Sequence, residues 1–265
     1  MPDLHKLYET ACFLFDMDGT IYLGDKLLPG ARELVDYLNE TGKPYYFLTN
    51  NSSKSRQDYV EKLGRFGLPI PAEHIFSSGE ATAIYLNKHY SGAAVYLVGT
   101  PSLEIEFKRH DIRLVQDKPD VAVLGFDTTL TYKKLWNLCE YVREGLPFIA
   151  THPDINCPTE TGYMPDIGAM LALVTTSTGR EPDVIVGKPF VPIIEAIIEK
   201  TGFSAEKLTM VGDRLYTDIA MGQAGISTVL VLSGEAKKGD IPVAPHKPDF
   251  VIEDVAELLG LLQAE

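Results

Sequence analysis

Cys12-Phe-Leu-Phe-Asp16-Met-Asp18-Gly-Thr20 decides how this chain of 265 residues is read. The apolar run Cys12–Phe15 enters two carboxylates spaced i, i+2 and is cut off by glycine. A short apolar run that ends so abruptly reads as a buried parallel strand. The carboxyl edge of such a strand is where open α/β sheets bind ligands. Side chains alternate along an extended chain, so Asp16 and Asp18 would share a face if the strand continued. Gly19 permits a tight turn there, and the Thr20 hydroxyl can hydrogen-bond it. Carboxylates crowded at one strand end repel, and a divalent cation relieves that repulsion most simply. The competing reading is a plain polar turn, since Asp and Gly are common turn residues.

The remainder of the chain repeats the pattern of an apolar strand with a polar tip. Tyr45–Leu48 leads to Thr49-Asn-Asn-Ser-Ser53, Val184–Val186 to Gly187-Lys188-Pro189, and Leu208–Val211 to Gly212-Asp213, with Asp218 following. Carboxylates, a hydroxyl, amides and a lysine suit a phosphate together with a hard cation. In that order the tips resemble the four motifs of the haloacid-dehalogenase superfamily of phosphohydrolases. Asp16-Met-Asp18-Gly-Thr20 matches the first, Thr49 the second, Lys188 the third, and Gly212-Asp213 with Asp218 the fourth. The phrases Leu48–Ser53 and Gly212–Asp218 resemble the branch that contains bacterial sugar-phosphate and p-nitrophenyl phosphatases. The resemblance spans nearly the whole chain, with no departure at the core motif positions.

Composition narrows the function from another side. The formal net charge of -13 and pI near 4.9 argue against a nucleic-acid surface or an anionic-membrane surface. They also mean that an anionic substrate must find local positive charge, which a cation and Lys188 would supply. Cys12, Cys139 and Cys157 have neither paired spacing nor a nearby His pattern, so no zinc site or disulfide framework is expected. With no signal-peptide core and no apolar stretch approaching 18 residues, the expected location is the cytoplasm.

Strands alternate with helices throughout, which predicts an α/β fold with a doubly wound, mainly parallel sheet. Residues 1–11 read as a polar lead-in with a helical turn, and Ile21–Asp25 as a small hairpin. Pro29 opens a helix with Ala31, Leu34, Val35 and Leu38 on one face. A second helix is expected from Ser53, and another from Thr217 to Gly222. Residues 81–183 carry none of the four motifs but have their own α/β rhythm. They are expected to form an inserted cap that sets specificity, with residues 1–80 and 184–265 forming the core. This resembles the larger, C2-type cap of the superfamily and its Rossmannoid core. The insert is also the surface through which a homo-oligomer could form.

The chemistry implied is hydrolysis of a small phosphomonoester, a sugar phosphate or similar metabolite, with p-nitrophenyl phosphate as an artificial substrate. Asp16 is the expected nucleophile, because a carboxylate can form an acyl phosphate and split hydrolysis into two steps. Asp18 is placed to protonate the leaving oxygen and then to activate water. Mg²⁺ is expected on Asp16, the Asp18 carbonyl and Asp213. Lys188 offsets phosphoryl charge and restrains the Asp16 carboxylate, although taken alone it reads more readily as an exposed loop lysine. Thr49 and the amides of Asn50 and Asn51 grip phosphate oxygens, or merely cap the next helix. Asp218 orients metal waters or Lys188, or is a plain first-turn acid. In Thr151–Pro158, Asp154 and Asn156 could hydrogen-bond sugar hydroxyls; a surface loop is the alternative. Trp136 reads as insert core, and His74, His89, His110 and His246 as surface residues. The rival functions are a phosphomutase or phosphotransferase, and a non-catalytic phospho-metabolite-binding or phospho-accepting protein. Asp18 beside the nucleophile argues against the last of these, since it speeds turnover.

Overall fold

A computed structural model describes residues 5–159 and 162–264; residues 1–4 of the expected lead-in lie outside them. The chain separates into two compact units. The first holds the residues up to Thr49, Val60–Phe76 and those from Ile197 onward; the second holds Asn50–Tyr59 and Ser77–Ala196. The second unit thus takes in Asn50–Tyr59 and Val184–Ala196 as well as the expected 81–183 block.

A six-stranded sheet runs Phe250–Ile252, Ser227–Val231, Leu208–Gly212, Cys12–Phe15, Tyr45–Thr49, Ile75–Ser77. Cys12–Phe15 pairs in parallel with Leu208–Gly212 on one side and Tyr45–Thr49 on the other. The chain therefore leaves the central strand in one direction and returns on its opposite flank. That is the switch point at which a crevice opens beyond the strands' carboxyl ends. All four residues of Cys12–Phe15 are fully buried, which is why the sequence reads as an unbroken apolar run rather than an alternating one. The helix Ala31–Thr41 buries Ala31, Leu34, Val35 and Leu38, the face expected from their spacing.

The second unit has its own five-stranded parallel sheet, in the order Val184–Ile185, Phe148–Ala150, Val121–Leu124, Ala94–Val98, Arg113–Leu114. Its core gathers Tyr96, Leu124, Phe126, Leu138, Phe148 and Val174. Asn156–Thr159 and Gly162–Pro165 form an antiparallel pair in the same unit. The strand before Lys188 therefore lies in this second sheet, against Phe148–Ala150, and not in the core sheet where its motif position suggested. An apolar strand carries no mark of which sheet it joins.

Other departures have local causes. The helix expected from Ser53 starts at Arg56, because the Ser55 N–H and Oγ both donate to Asp58 Oδ2 at 2.7 and 2.8 Å, capping it there. A 3₁₀ turn, Ile219–Ala224, replaces the expected helix at Thr217–Gly222. Trp136 is exposed, donating to Glu140 Oε1 at 2.6 Å, and not core. His74 lies on the Tyr45 carbonyl at 2.9 Å, and His110 faces Glu106 at 3.7 Å; neither is an idle surface residue.

Glu106, 1% exposed, ties its helix Pro101–Arg109 to the start of Arg56–Arg65 through Arg56 at 2.8 Å, with Arg109 of its own helix at 3.4 Å; Arg56 also reaches Glu80 at 2.9 Å. Burial alone would raise its carboxyl. Hydrogen bonds from His110 and Arg56 and the charges of Arg56 and Arg109 outweigh that and hold it down to about 2. Its stabilisation is present above the ordinary value of 4.5 and is lost as pH falls toward about 2. Glu106→Ala should cost about 1–3 kcal/mol near neutrality, since it removes a buried, charge-assisted partner and leaves Arg56 with Glu80 alone. In urea unfolding the difference from the parent protein should shrink markedly at pH 3. An undiminished difference there would exclude the ion pairs as its cause.

Candidate active site

Parallel register brings the first and fourth motif tips level. Phe15 pairs with both Phe47 and Val211, and the Asp16 N–H donates to the Val211 carbonyl at 2.8 Å. Asp16 therefore stands beside Gly212 on one flank and Leu48 on the other, one residue short of Asp213 and Thr49. Carboxylate oxygens of Asp16, Asp213 and Asp218 lie within 4.8 Å of one another, with Asp213 and Asp218 buried and Asp16 partly buried. Among the described residues this is the one cluster of acidic, His or Cys side chains with metal-binding spacing.

Asp213 is held tightly. The Glu235 N–H donates to its Oδ2 at 2.7 Å. Gly19 and Gly234 close around the carboxylate so narrowly that a Cβ on either would fall 2.3 or 1.9 Å from Oδ2. Ser233 Oγ donates to the Gly19 carbonyl at 2.7 Å, locking the two loops together. The other oxygen, Oδ1, is buried and has no hydrogen-bond partner among the described residues. A buried carboxylate oxygen without a donor is costly unless a cation completes it. Burial, and then the charge of Asp218, raise the Asp213 carboxyl to about 7, against the hydrogen bond from Glu235 and the charge of Arg214. Hard oxygen donors in this number fit a divalent cation such as Mg²⁺ or Ca²⁺. Asp218 Oδ2 accepts the Arg214 N–H at 3.1 Å, and its carboxylate would be struck by a Cβ at Gly212, only 2.4 Å away. The Asp218 carboxylate belongs to the acid cluster itself.

Asp18 is treated differently although it comes two residues after Asp16. Its side chain is 44% exposed. Tyr22, wholly buried in the hairpin Tyr22–Leu23/Lys26–Leu27, donates its hydroxyl to Asp18 Oδ2 at 2.9 Å. Lys62 Nζ lies 3.9 Å from Oδ1 and 3.8 Å above the Tyr22 ring. Sequence reasoning placed the hairpin but gave Tyr22 no role. Its position four residues after Asp18 was the available signal, whereas nothing local pointed to Lys62 or Glu235.

Thr49 is buried at the tip of its strand. In the second unit Lys188 is 2% exposed, and its main chain is bonded to the Asn50 side chain, which also reaches Asp154. Asn51 Oδ1 accepts from Ser53 N and Oγ at 2.9 and 2.7 Å, an Asx turn. Asp154 is buried, and Asn156 is exposed on its strand.

Known proteins share this architecture. A family model for haloacid dehalogenase-like hydrolases matches residues 13–113, and a HAD-hydrolase-like model matches residues 185–258. An acid sugar phosphatase of Staphylococcus aureus is 34% identical, the match covering 95% of this chain and 97% of that one. The 5'-nucleotidase YutF of Bacillus subtilis is 35% identical over 92% and 96%. The crystal structure of a 4-nitrophenylphosphatase from Thermotoga maritima superposes with a TM-score of 0.94 at 45% identity, covering 98% of this chain and all of that one.

Titration of Asp213 gives the site a measurable signature. A carboxyl raised in the folded state favours folding below its ordinary value, and that contribution disappears as pH climbs from about 4 to about 7. A cation that needs the ionised form reverses the trend. Added Mg²⁺ should raise the melting temperature by several degrees at pH 8 and by much less at pH 5.5. Asp213→Asn should abolish the Mg²⁺-dependent shift at both. A shift that survives in Asp213→Asn would place the cation elsewhere.

Proposed function

The chain belongs to the haloacid dehalogenase-like hydrolases, and from that premise we propose that it is a divalent-cation-dependent phosphatase of small phosphomonoesters that works through an aspartyl phosphate. The observation that carries this reading is the contrast between the carboxylates at one sheet edge: Asp16 in the buried acid cluster, Asp18 outside it. A clustered carboxylate suits the nucleophile. One that is partly exposed and hydrogen-bonded to a hydroxyl suits an acid and base that must exchange protons with the leaving group and water.

Asp16 attacks phosphorus in line, forming a P–O bond as the ester P–O bond breaks. Asp18 gives its proton to the departing alkoxide, then takes one from the water that hydrolyses the acyl phosphate. Tyr22 fixes the Asp18 carboxylate through Oδ2 and leaves Oδ1 toward Lys62. Asp16, Asp213 and the Asp18 carbonyl would hold Mg²⁺, with Asp218 beside them; when bound, the ion offsets charge on the transferring phosphoryl group. We assign Thr49 and the main-chain N–H groups of Asn50 and Asn51 to the phosphate oxygens, and Lys188, by its place in the motif order, to the phosphoryl charge. The relatives named for sugar phosphates and for 5'-nucleotides act on esters whose alcohol is a sugar hydroxyl, which supports a phosphorylated sugar as the substrate class here.

Released phosphate from a panel of such esters with Mg²⁺ tests the reading directly, and excess EDTA should abolish it. The two aspartates should fail in different ways. Asp16→Asn should form no covalent adduct with any ester. Asp18→Asn should lose about 10²- to 10⁴-fold on sugar phosphates. It should lose less in the first step with p-nitrophenyl phosphate, whose leaving group needs no proton, and should then accumulate acyl phosphate. Acid quench with labelled substrate and peptide mapping distinguishes these cases; label on Asp18 would reverse the assignment.

A further inference from the structure

In the second unit one side chain has committed both of its N–H donors and its carbonyl oxygen to neighbouring protein groups. Asn50 Oδ1 accepts the Lys188 N–H at 2.7 Å. Its Nδ2 donates to the Lys188 carbonyl at 3.1 Å and to Asp154 Oδ1 at 3.0 Å. A primary amide has two N–H donors, and both are used. Its orientation is fixed, because a flipped amide would set Nδ2 against the Lys188 N–H. Asn50 is 5% exposed and Asp154 is 6% exposed, so the contacts are shielded from competing water.

The neighbours are arranged to permit this grip. A Cβ at Gly187 would fall 2.7 Å from Asn50 Oδ1, 2.6 Å from His152 Cβ and 2.8 Å from the Thr151 carbonyl. Only glycine lets the segment before Lys188 approach so closely. From behind, Ser78 Oγ donates to the Asn50 carbonyl. Ser78 Oγ lies 3.5 Å from Nδ1 of the fully buried His152, whose Nε2 is 3.0 Å from Asp166 Oδ1. The amide is thus pinned at its own main chain as well as at its side chain.

We propose that Asn50 and Asp154 are a positioning pair: Asn50, anchored by Asp154, holds both main-chain polar groups of Lys188 and so fixes where its ammonium group starts from. Asp154 is then the anchor of a clamp, not a contact for substrate hydroxyls, and what Asn50 offers a phosphate is its main-chain N–H alone. The inference rests on the reading of Lys188 as the partner of phosphoryl charge. A lysine side chain has many rotamers, so a fixed backbone origin matters for its aim. Displacements of about 1 Å at a reacting centre can cost about 10²-fold in rate.

The test uses the full chain with Mg²⁺, p-nitrophenyl phosphate and glucose 6-phosphate. Asn50→Asp turns the donor toward Asp154 into a second carboxylate. It should lower kcat about 10- to 100-fold on both esters while KM changes by no more than about threefold. Asp154→Asn alone should do little, because its amide oxygen still accepts. Combined with Asn50→Asp it restores a donor–acceptor pair, and about tenfold of the lost rate should return. Additive effects, or a loss confined to the KM of the sugar ester, would make these residues substrate contacts and overturn the proposal. Amide exchange at Lys188, followed by NMR, reads the clamp without catalysis. Exchange should quicken at least about tenfold in Asn50→Ala and stay slow in Asn50→Asp, whose carboxylate still accepts. Unchanged exchange in Asn50→Ala would refute the clamp. A parent protein inert on both esters, with exchange behaving as stated, would instead refute the phosphatase reading.

Discussion

Mutual repulsion among Asp16, Asp213 and Asp218 is the constraint on which the first unit depends. Ionised carboxylates within 4.8 Å repel by on the order of 3 kcal/mol per pair at the effective dielectric of a protein interior. Left free, these side chains would turn away from one another. They are held by the strand register and by the Glu235 and Arg214 N–H donors, in space that Gly19, Gly234 and Gly212 leave open and a Cβ would fill. The neighbouring structure thus holds an electrostatically unfavourable arrangement in place, as a site built for a cation requires. The unpartnered Asp213 Oδ1 marks where the compensation is missing from the protein itself.

Two aspartates from one strand end have different surroundings, and the roles proposed for them follow from that difference. Asp16 faces other acids in a buried cluster. Asp18 faces a tyrosine hydroxyl and a lysine, with part of its side chain exposed. Carboxyl groups placed alike would titrate alike, and a reaction that needs one nucleophile and one proton carrier would have neither reliably. The hairpin that carries Tyr22 supplies that difference, which gives the short connection after the first strand a chemical purpose beyond turning the chain.

The legible parts of the sequence were those set by local rules. Cys12–Phe15 could be read as a buried strand because burial on both faces suppresses alternation, and the Ala31–Thr41 helix because its apolar spacing matches its buried face. The grouping of Asp16 with Asp213 followed from seeing each at a strand tip. What escaped depended on distant neighbours. Which sheet Val184–Ile185 joins is decided by its pairing with Phe148–Ala150, invisible in a strand of two residues. Trp136 lies on a helix whose spacing fits a buried face, yet its ring projects outward and bonds Glu140. Lys62 and Glu235 reach their aspartates from 44 and 22 positions away along the chain, where no spacing rule applies.

The net charge of -13 is no obstacle to an anionic ligand once distances are considered. Exposed charges more than about 8–10 Å away are screened at physiological ionic strength, so an incoming phosphate responds chiefly to the groups nearest to it. Buried groups are screened far less. In the role proposed for it, Lys188, at 2% exposure, would count for more than the surface acids that dominate the composition, as would any cation held by the acid cluster. The surplus of acids on the surface and the positive charge that an anion needs can coexist because they act over different ranges. A composition-level charge restricts nonspecific partners such as nucleic acid, while the choice of a specific anionic ligand is left to a few buried side chains and to the contacts that hold them still.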